Sequence, residues 1–264
     1  MSKPAPKQTS STAITNASLY QLTTNTFTTL NFAIKNNIII ATGYLPDDEK
    51  MHEINASNHV IINTSANLGP LLSGQQANPI PTQLAHITFT DCATFLSQLD
   101  TKSLTNQTKH ICLQATFSEL LYIIQEQSTL STNHHYHIVL PNVSTDILNT
   151  LSATSLPPNI SIGLLIDKTA KPYVQQLTHA IKSGYITSLS TTNYYNFLPT
   201  LTHIFESSIF EITTTLFTQH AHKTLNIKAT GVTLLQKPNL ALIQKKPPFS
   251  TLLTINQGEI NHYG

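Results

Sequence analysis

Short apolar runs alternate along the chain with longer stretches in which apolar residues recur at helical spacing. Leu19–Leu22 reads as a strand, and Phe27, Leu30, Ala33 and Ile34 then fall three and four apart, predicting a helix that Asn36-Asn37 stops. Ile38–Ala41 and Val60–Ile62 are apolar strand runs, with the polar connector "GYLPDDEK" (Gly43–Lys50) between them. Ala85–Phe89, His110–Gln114 and His137–Pro141 each lead into a helical stripe, and Ser144 or Thr145 suits the start of the third helix. Ile160–Ile166 precedes the helix "YVQQLTHAIKSG", whose Gly184 suits the position just past a helix end. Tyr185–Ser190, Leu225–Gly231 and Leu240–Lys245 complete the strand-like set, and "FSTLLTIN" reads as a terminal half-helix. Alternating strands and helices predict an α/β protein with parallel sheets flanked by helices on both faces. About eight such units exceed what one open sheet usually holds, so two similar domains are expected.

Composition narrows the function classes. The chain has 264 residues, 40% hydrophobic, and only 10% charged, and every one of its 14 basic residues is Lys. A formal net charge of +1 leaves no concentrated basic face for nucleic acid. No apolar run approaches the roughly 20 residues that span a membrane. The N-terminus "MSKPAPKQTSSTAITNAS" lacks the apolar centre of an export signal and reads as a flexible Pro/Ser/Thr tail. Cys92 and Cys112 make neither a disulfide framework nor a CxxC pair, so the cytoplasm is the expected compartment.

The chemistry-bearing pattern is a repeated strand end. "INTSAN" (Ile62–Asn67) closes an apolar strand in hydroxyls and amides where a helix could start, and "SLSTTN" (Ser188–Asn193) repeats it half a chain later. In parallel α/β sheets ligands bind beyond the carboxyl ends of strands, and small polar residues with free N–H groups there suit a carboxylate or phosphate. The same residues serve as ordinary helix caps. "HHYH" (His134, His135, His137) and "HAH" (His220, His222) have metal-ligand chemistry but no nearby Cys or acidic partner, and read as exposed loop histidines. Cys112, inside an apolar strand, reads as core, and Asp47-Asp48-Glu49 as a solvated linker.

The order of these pieces resembles the uroporphyrinogen-III synthase family. "LYQLTTN" sits where that family has an opening strand ending in Thr, matched by Thr23; "VIINTSANLGPLL" is similar to its first hydroxyl lip through Thr64, Ser65 and Asn67. "TFSELL" resembles a family helix start through Ser118 and Glu119. "SLSTTNYYNFL" resembles the second lip through Ser190, Thr191 and Phe197, and "NIKATGVTLL" its Gly-Thr turn through Gly231 and Thr233. The chain departs from the family at Ile166, where a Tyr is usual, and at Pro141-Asn142, where the family has Arg-Gly.

The resemblance implies a monomeric two-domain cytoplasmic enzyme without cofactor or metal. It implies closure of a linear tetrapyrrole, hydroxymethylbilane, to uroporphyrinogen III in haem biosynthesis, by positioning more than by titrating groups. Thr23, Thr64, Ser65, Asn67, Ser118, Ser190, Thr191, Gly231 and Thr233 are the implied substrate-binding residues. The implied domains are a tail at 1–17, domain 1 from 18–43 with 168–264, a two-stranded linker at 44–49 and 160–167, and domain 2 at 50–159. Two rivals stand beside it: a non-enzymatic, receiver-like interaction module, or a catalytically degenerate family member. A periplasmic-type binding protein would need an export signal.

Overall fold

The computed structural model describes residues 11–45, 51–64, 87–99, 109–126, 128, 130–192, 196–220, 232–256 and 258–263. The chain divides into two compact units, Met1–Thr64 with Thr230–Gly264, and Ser65–Ala229.

The first unit is one mixed sheet. Strands β1 (Thr12–Gln21), β2 (Thr26–Lys35) and β3 (Ile38–Thr42) form an antiparallel meander. Two sequence expectations change here. Residues from Thr12, read as tail, are already strand. The stretch from Phe27 to Ile34, read as helix, is β2. Leu30, Phe32 and Ile34 alternate with Thr29, Asn31 and Ala33, which is the period of two that a half-buried strand needs. Asn36 and Asn37 both have positive φ, 52° and 64°, and they link the paired residues Lys35 and Ile38. That is the two-residue hairpin turn whose twist matches the strands, not a helix stop.

On the other side of β1, β4 (His52–Asn55) pairs in parallel with its first half and β5 (His59–Asn63) meets it at Ser18↔Val60. The register of β1 shifts between Ile14 and Ala17, where Asn16 has φ 58° and its N–H donates to Asn31 Oδ1 at 2.7 Å. This bulge bends the strand between its two parallel partners. Strands β11 (Leu240–Gln244), β12 (Thr251–Asn256) and β13 (Glu259–Tyr263) extend the sheet antiparallel to β5. The expected terminal half-helix is therefore β12, in which Leu253 and Ile255 alternate inward.

The strand order is β13-β12-β11-β5-β1-β2-β3. The sheet curls on itself. Gly258, in the turn after β12, packs against the backbone of Asn37 in the turn before β3, and the Leu235 N–H donates to the Ile39 carbonyl at 2.8 Å. Ile14, Phe32, Ile39, Leu242, Leu253 and Ile255 fill the unit's core. Each such side chain contributes about 1.5–3 kcal/mol on burial.

The second unit is a parallel sheet, β6 (Ile87–Asp91), β7 (His110–Gln114), β8 (His135–Leu140), β9 (Ile160–Leu165) and β10 (Ser188–Ser190). Helices α1 (Cys92–Leu99), α2 (Phe117–Gln125), α3 (Thr145–Ala153) and α4 (Val174–Lys182) alternate with these strands. After β10 come α5 (Phe197–Phe205) and α6 (Ile209–Thr214), the latter running into a π-helical turn at Thr215–His220. Ile160–Leu165, the stretch assigned above to a linker, is a wholly buried strand lying between β8 and β10. Among the described residues no helix is long and apolar enough to cross a membrane.

Spatial order equals chain order, β6 to β10. Because crossovers between parallel strands are right-handed, marching always in one direction puts every helix on one face. The strand faces agree. Leu113, Tyr136, Ile138, Leu140, Ile162 and Leu164 form an apolar face, and Phe95 of α1 meets Tyr136 edge-on at 5.6 Å. The opposite face carries His110, Cys112, His137, Ser161, Gly163 and Ser188 in register. The expected architecture, two similar parallel-sheet domains with helices on both faces, is thus corrected. One unit is a curled mixed sheet, and the other is a singly wound parallel sheet of the kind that lines a barrel.

Candidate functional site

The small, polar face of the parallel sheet and its carboxyl edge are where such a unit can hold chemistry. At the centre lies His137, fully buried on β8. Its Nδ1 is 2.6 Å from Ser161 Oγ on β9, and its Nε2 is 2.8 Å from Ser188 Oγ on β10. Ser161 Oγ also reaches the Tyr136 carbonyl at 3.4 Å. Satisfying every group puts the ring proton on Nδ1, donated to Ser161, while Nε2 accepts from Ser188. Gly163 makes the arrangement possible, since a Cβ there would run into Ser188 Oγ and lie 3.0 Å from His137 Nε2. Burial pushes the His137 imidazolium pKa down to about 3. With both nitrogens occupied and the ring neutral, His137 locks three strands together and does not act as a base at neutral pH.

Below it, the His110 and His135 rings stack at 5.0 Å with 13° between planes. Of the "HHYH" stretch, His135 and His137 are therefore in β8, and His134 is buried in the bend before it. His135, His137 and Val139 face one side of β8, while Tyr136, Ile138 and Leu140 face the other. That alternation was present in the sequence, and it is the signal that finds the His137–Ser161–Ser188 cluster. His220 sits in the π-helical turn with Nε2 2.8 Å from the Ile181 carbonyl, and His222 lies outside the described residues.

At the carboxyl edge the acidic groups start helices. Asp91 accepts from the Thr94 N–H (2.8 Å) and hydroxyl (2.7 Å) at the start of α1. Glu119 accepts from the Thr116 N–H (2.6 Å) and hydroxyl (2.8 Å), and Thr116 Oγ1 accepts from the Glu119 N–H, a capping box on α2. Asp167 accepts from the Thr169 N–H at 2.8 Å. These bonds, the Thr94 hydroxyl, the Thr116 N–H and the Thr169 hydroxyl foremost, hold all three carboxyls below the usual range. Thr116→Ala removes one cap and is expected to cost about 1 kcal/mol, read as a lower urea midpoint at unchanged slope. Cys92 is pushed up to about 11, by burial first and by Glu119 next, so its thiol stays protonated. Cys112 is buried core, as its strand context predicts, and burial pushes its thiol up further.

Among the described residues no group of three or more His, Cys, Asp or Glu side chains is placed to hold a metal ion.

The residues implied by the family resemblance are distributed across both units. Thr23 is exposed in the β1–β2 turn, and Thr64 is buried after β5 with its N–H donating to the Asn239 carbonyl at 3.0 Å. Thr233 precedes the turn whose Gln236 N–H reaches its carbonyl at 3.4 Å. In the second unit Ser118 is exposed on α2, while Ser190 and Thr191 are buried at the end of β10. Ser65, Asn67, Gly231 and the run Asp47-Asp48-Glu49 lie outside the described residues.

No protein-family profile and no curated protein sequence matches the chain. Solved structures do. A dihydropyrimidinase from Brevibacillus agri superposes with a TM-score of 0.54 at 8% identity, over 95% of this chain and 94% of that one. An amidohydrolase from an environmental sample of the Sargasso sea gives 0.49 at 10% identity, over 95% and 92%. A D-hydantoinase gives 0.45 at 9% identity, over 95% of each chain. The dihydropyrimidinase likeness shows a fold shared between the two chains. Together with the consecutive strand order it overturns the resemblance to uroporphyrinogen-III synthase. The implied cyclising hydro-lyase of haem biosynthesis, with its linear tetrapyrrole, falls with it, as does the receiver-like rival.

Proposed function

We propose that the protein is an amidohydrolase-type hydrolase that acts on a C–N bond in a small cyclic amide, of the dihydropyrimidine class that its structural neighbour's name denotes. The observation that carries this reading is the polar face of the parallel sheet. The sheet is wound in one direction and apolar toward its helices; its other side mixes His, Ser, Gly, Cys and Gln with Ile87, Phe89, Val139 and Leu165, and these polar groups support a polar site there. The reacting amide belongs at the carboxyl edge. There Gln114, in register between Asp91 and Val139, offers an amide N–H and C=O to the complementary edge of the ring. The cytoplasm is the proposed compartment, in keeping with two free, buried cysteines.

The test incubates the full chain with dihydrouracil and with hydantoin, with and without zinc or manganese chloride, and follows ring opening. Ring-opened carbamoyl acid is expected, with KM raised by Gln114→Ala. A folded chain that leaves both rings intact under every condition ends the hydrolytic reading. That outcome would fit a chain whose carboxyl-edge acids serve only as helix caps.

A further inference from the structure

A cavity of about 640 Å³ opens at the amino edge of β8, β9 and β10, opposite the carboxyl edge. The geometry points to a binding site for a neutral polyhydroxylated ring, of sugar or nucleoside size, at this edge. The volume suits such a molecule. The chemistry follows from what the walls contain. Among the described residues no Asp or Glu lines the cavity, so a cation finds no counter-ion there. Lys182, the lysine among the described lining residues, is held by Glu211 at 2.7 Å. Helices α3 and α4 both end at this rim, at Ala153 and Lys182, and present their negative ends, which disfavours an anion.

A neutral ligand with hydrogen-bond donors remains. Ser155, Ser183 and Tyr185 bring hydroxyls that donate or accept. Asn159 donates its amide protons to the Ser131 (3.3 Å) and His134 (3.2 Å) carbonyls, leaving its own carbonyl oxygen as an acceptor. Leu156, Pro157, Pro158 and Ile160 form apolar wall for a ring's C–H face, beside a His135 ring already fixed by stacking on His110. This site is independent of the hydrolytic reading, which concerns the carboxyl edge.

The experiment is saturation-transfer NMR on the full chain with methyl α-D-glucopyranoside at millimolar concentration, and with glucose 6-phosphate as the charged probe. Signals from the glucoside ring protons are expected. Ser155→Trp, an exposed position where an indole would fill the cavity, should abolish them while the circular dichroism spectrum stays unchanged. Tyr185→Phe should weaken binding about tenfold, the value of one lost hydrogen bond to a neutral partner. A silent glucoside, signals that survive Ser155→Trp, or binding of the phosphate ester alone would each overturn the assignment.

Discussion

Gly258→Ala is expected to destabilise the first unit by about 2–5 kcal/mol, the sum of overpacking and of forcing a left-handed backbone onto an L residue. Gly258 has φ +83°, and a Cβ on it would fall on the carbonyl group and Cα of Asn37. Asn37 cannot yield easily. Its own φ is 64°, it forms the two-residue turn with Asn36, and its Nδ2 donates to Glu259 Oε1 at 3.3 Å. Nor can Gly258 retreat without losing the bond from its N–H to the Pro238 carbonyl at 2.9 Å. Separating the turns would open the curled sheet where its two ends meet. Gly43→Ala is the control. Gly43 also has positive φ, 79°, but a Cβ there meets nothing within 4 Å. It should lose only about 1–2 kcal/mol, the backbone cost alone. Urea denaturation of the three proteins reads the difference directly, and equal losses at the two glycines would show that the turns do not close on each other.

Much of the second unit was legible in the sequence, because buried parallel strands announce themselves as apolar runs followed by amphipathic helices. The β9 run, the helix start at Ser144 and the left-handed Gly184 (φ +79°) all fall where periodicity and capping place them. In the first unit two periods coexist. Phe27, Leu30, Ala33 and Ile34 satisfy helical spacing, yet Leu30, Phe32 and Ile34 satisfy alternation. The Asn36-Asn37 turn decides for strand, since only a hairpin uses two consecutive residues at positive φ. Winding was not legible at all. Strand–helix alternation is common to doubly wound sheets and barrels, and only pairing shows that β6 to β10 march in one direction. For that reason the order of hydroxyl-rich strand ends along the chain does not identify the fold. Ser190, at one such strand end, is buried at β10. The residues that shape the polar face, Ser161, Gly163 and Ser188, are too common in type to stand out before their register is known.

Acidification from neutral pH to about 5 is expected to destabilise the protein by about 2 kcal/mol through His137 alone. The direction follows from proton uptake. In the unfolded chain the imidazole has its ordinary pKa of 6.5, whereas burial lowers it to about 3 in the fold. Between these values the unfolded chain holds one more proton than the native one, so stability rises with pH. The contribution is complete above 6.5 and declines by about 1.4 kcal/mol per pH unit below it. Asp91, Glu119 and Asp167, all lowered by hydrogen bonds, act in the same direction but at lower pH, below their unfolded values near 4. His59, lowered by burial and then by Lys245, shares the upper window, so a variant is needed to isolate His137. His137→Gln retains a hydrogen-bonding group between Ser161 and Ser188 and cannot ionise. It should be less stable than the parent at pH 7.5, where the two serine bonds of 2.6 and 2.8 Å are disturbed. Its urea midpoint should fall less steeply with acid, by one proton's worth of slope between pH 5 and 6.5. Parallel slopes for parent and variant would mean that the ring takes up a proton in the native state, and the two serines would then have to be bonded to an imidazolium.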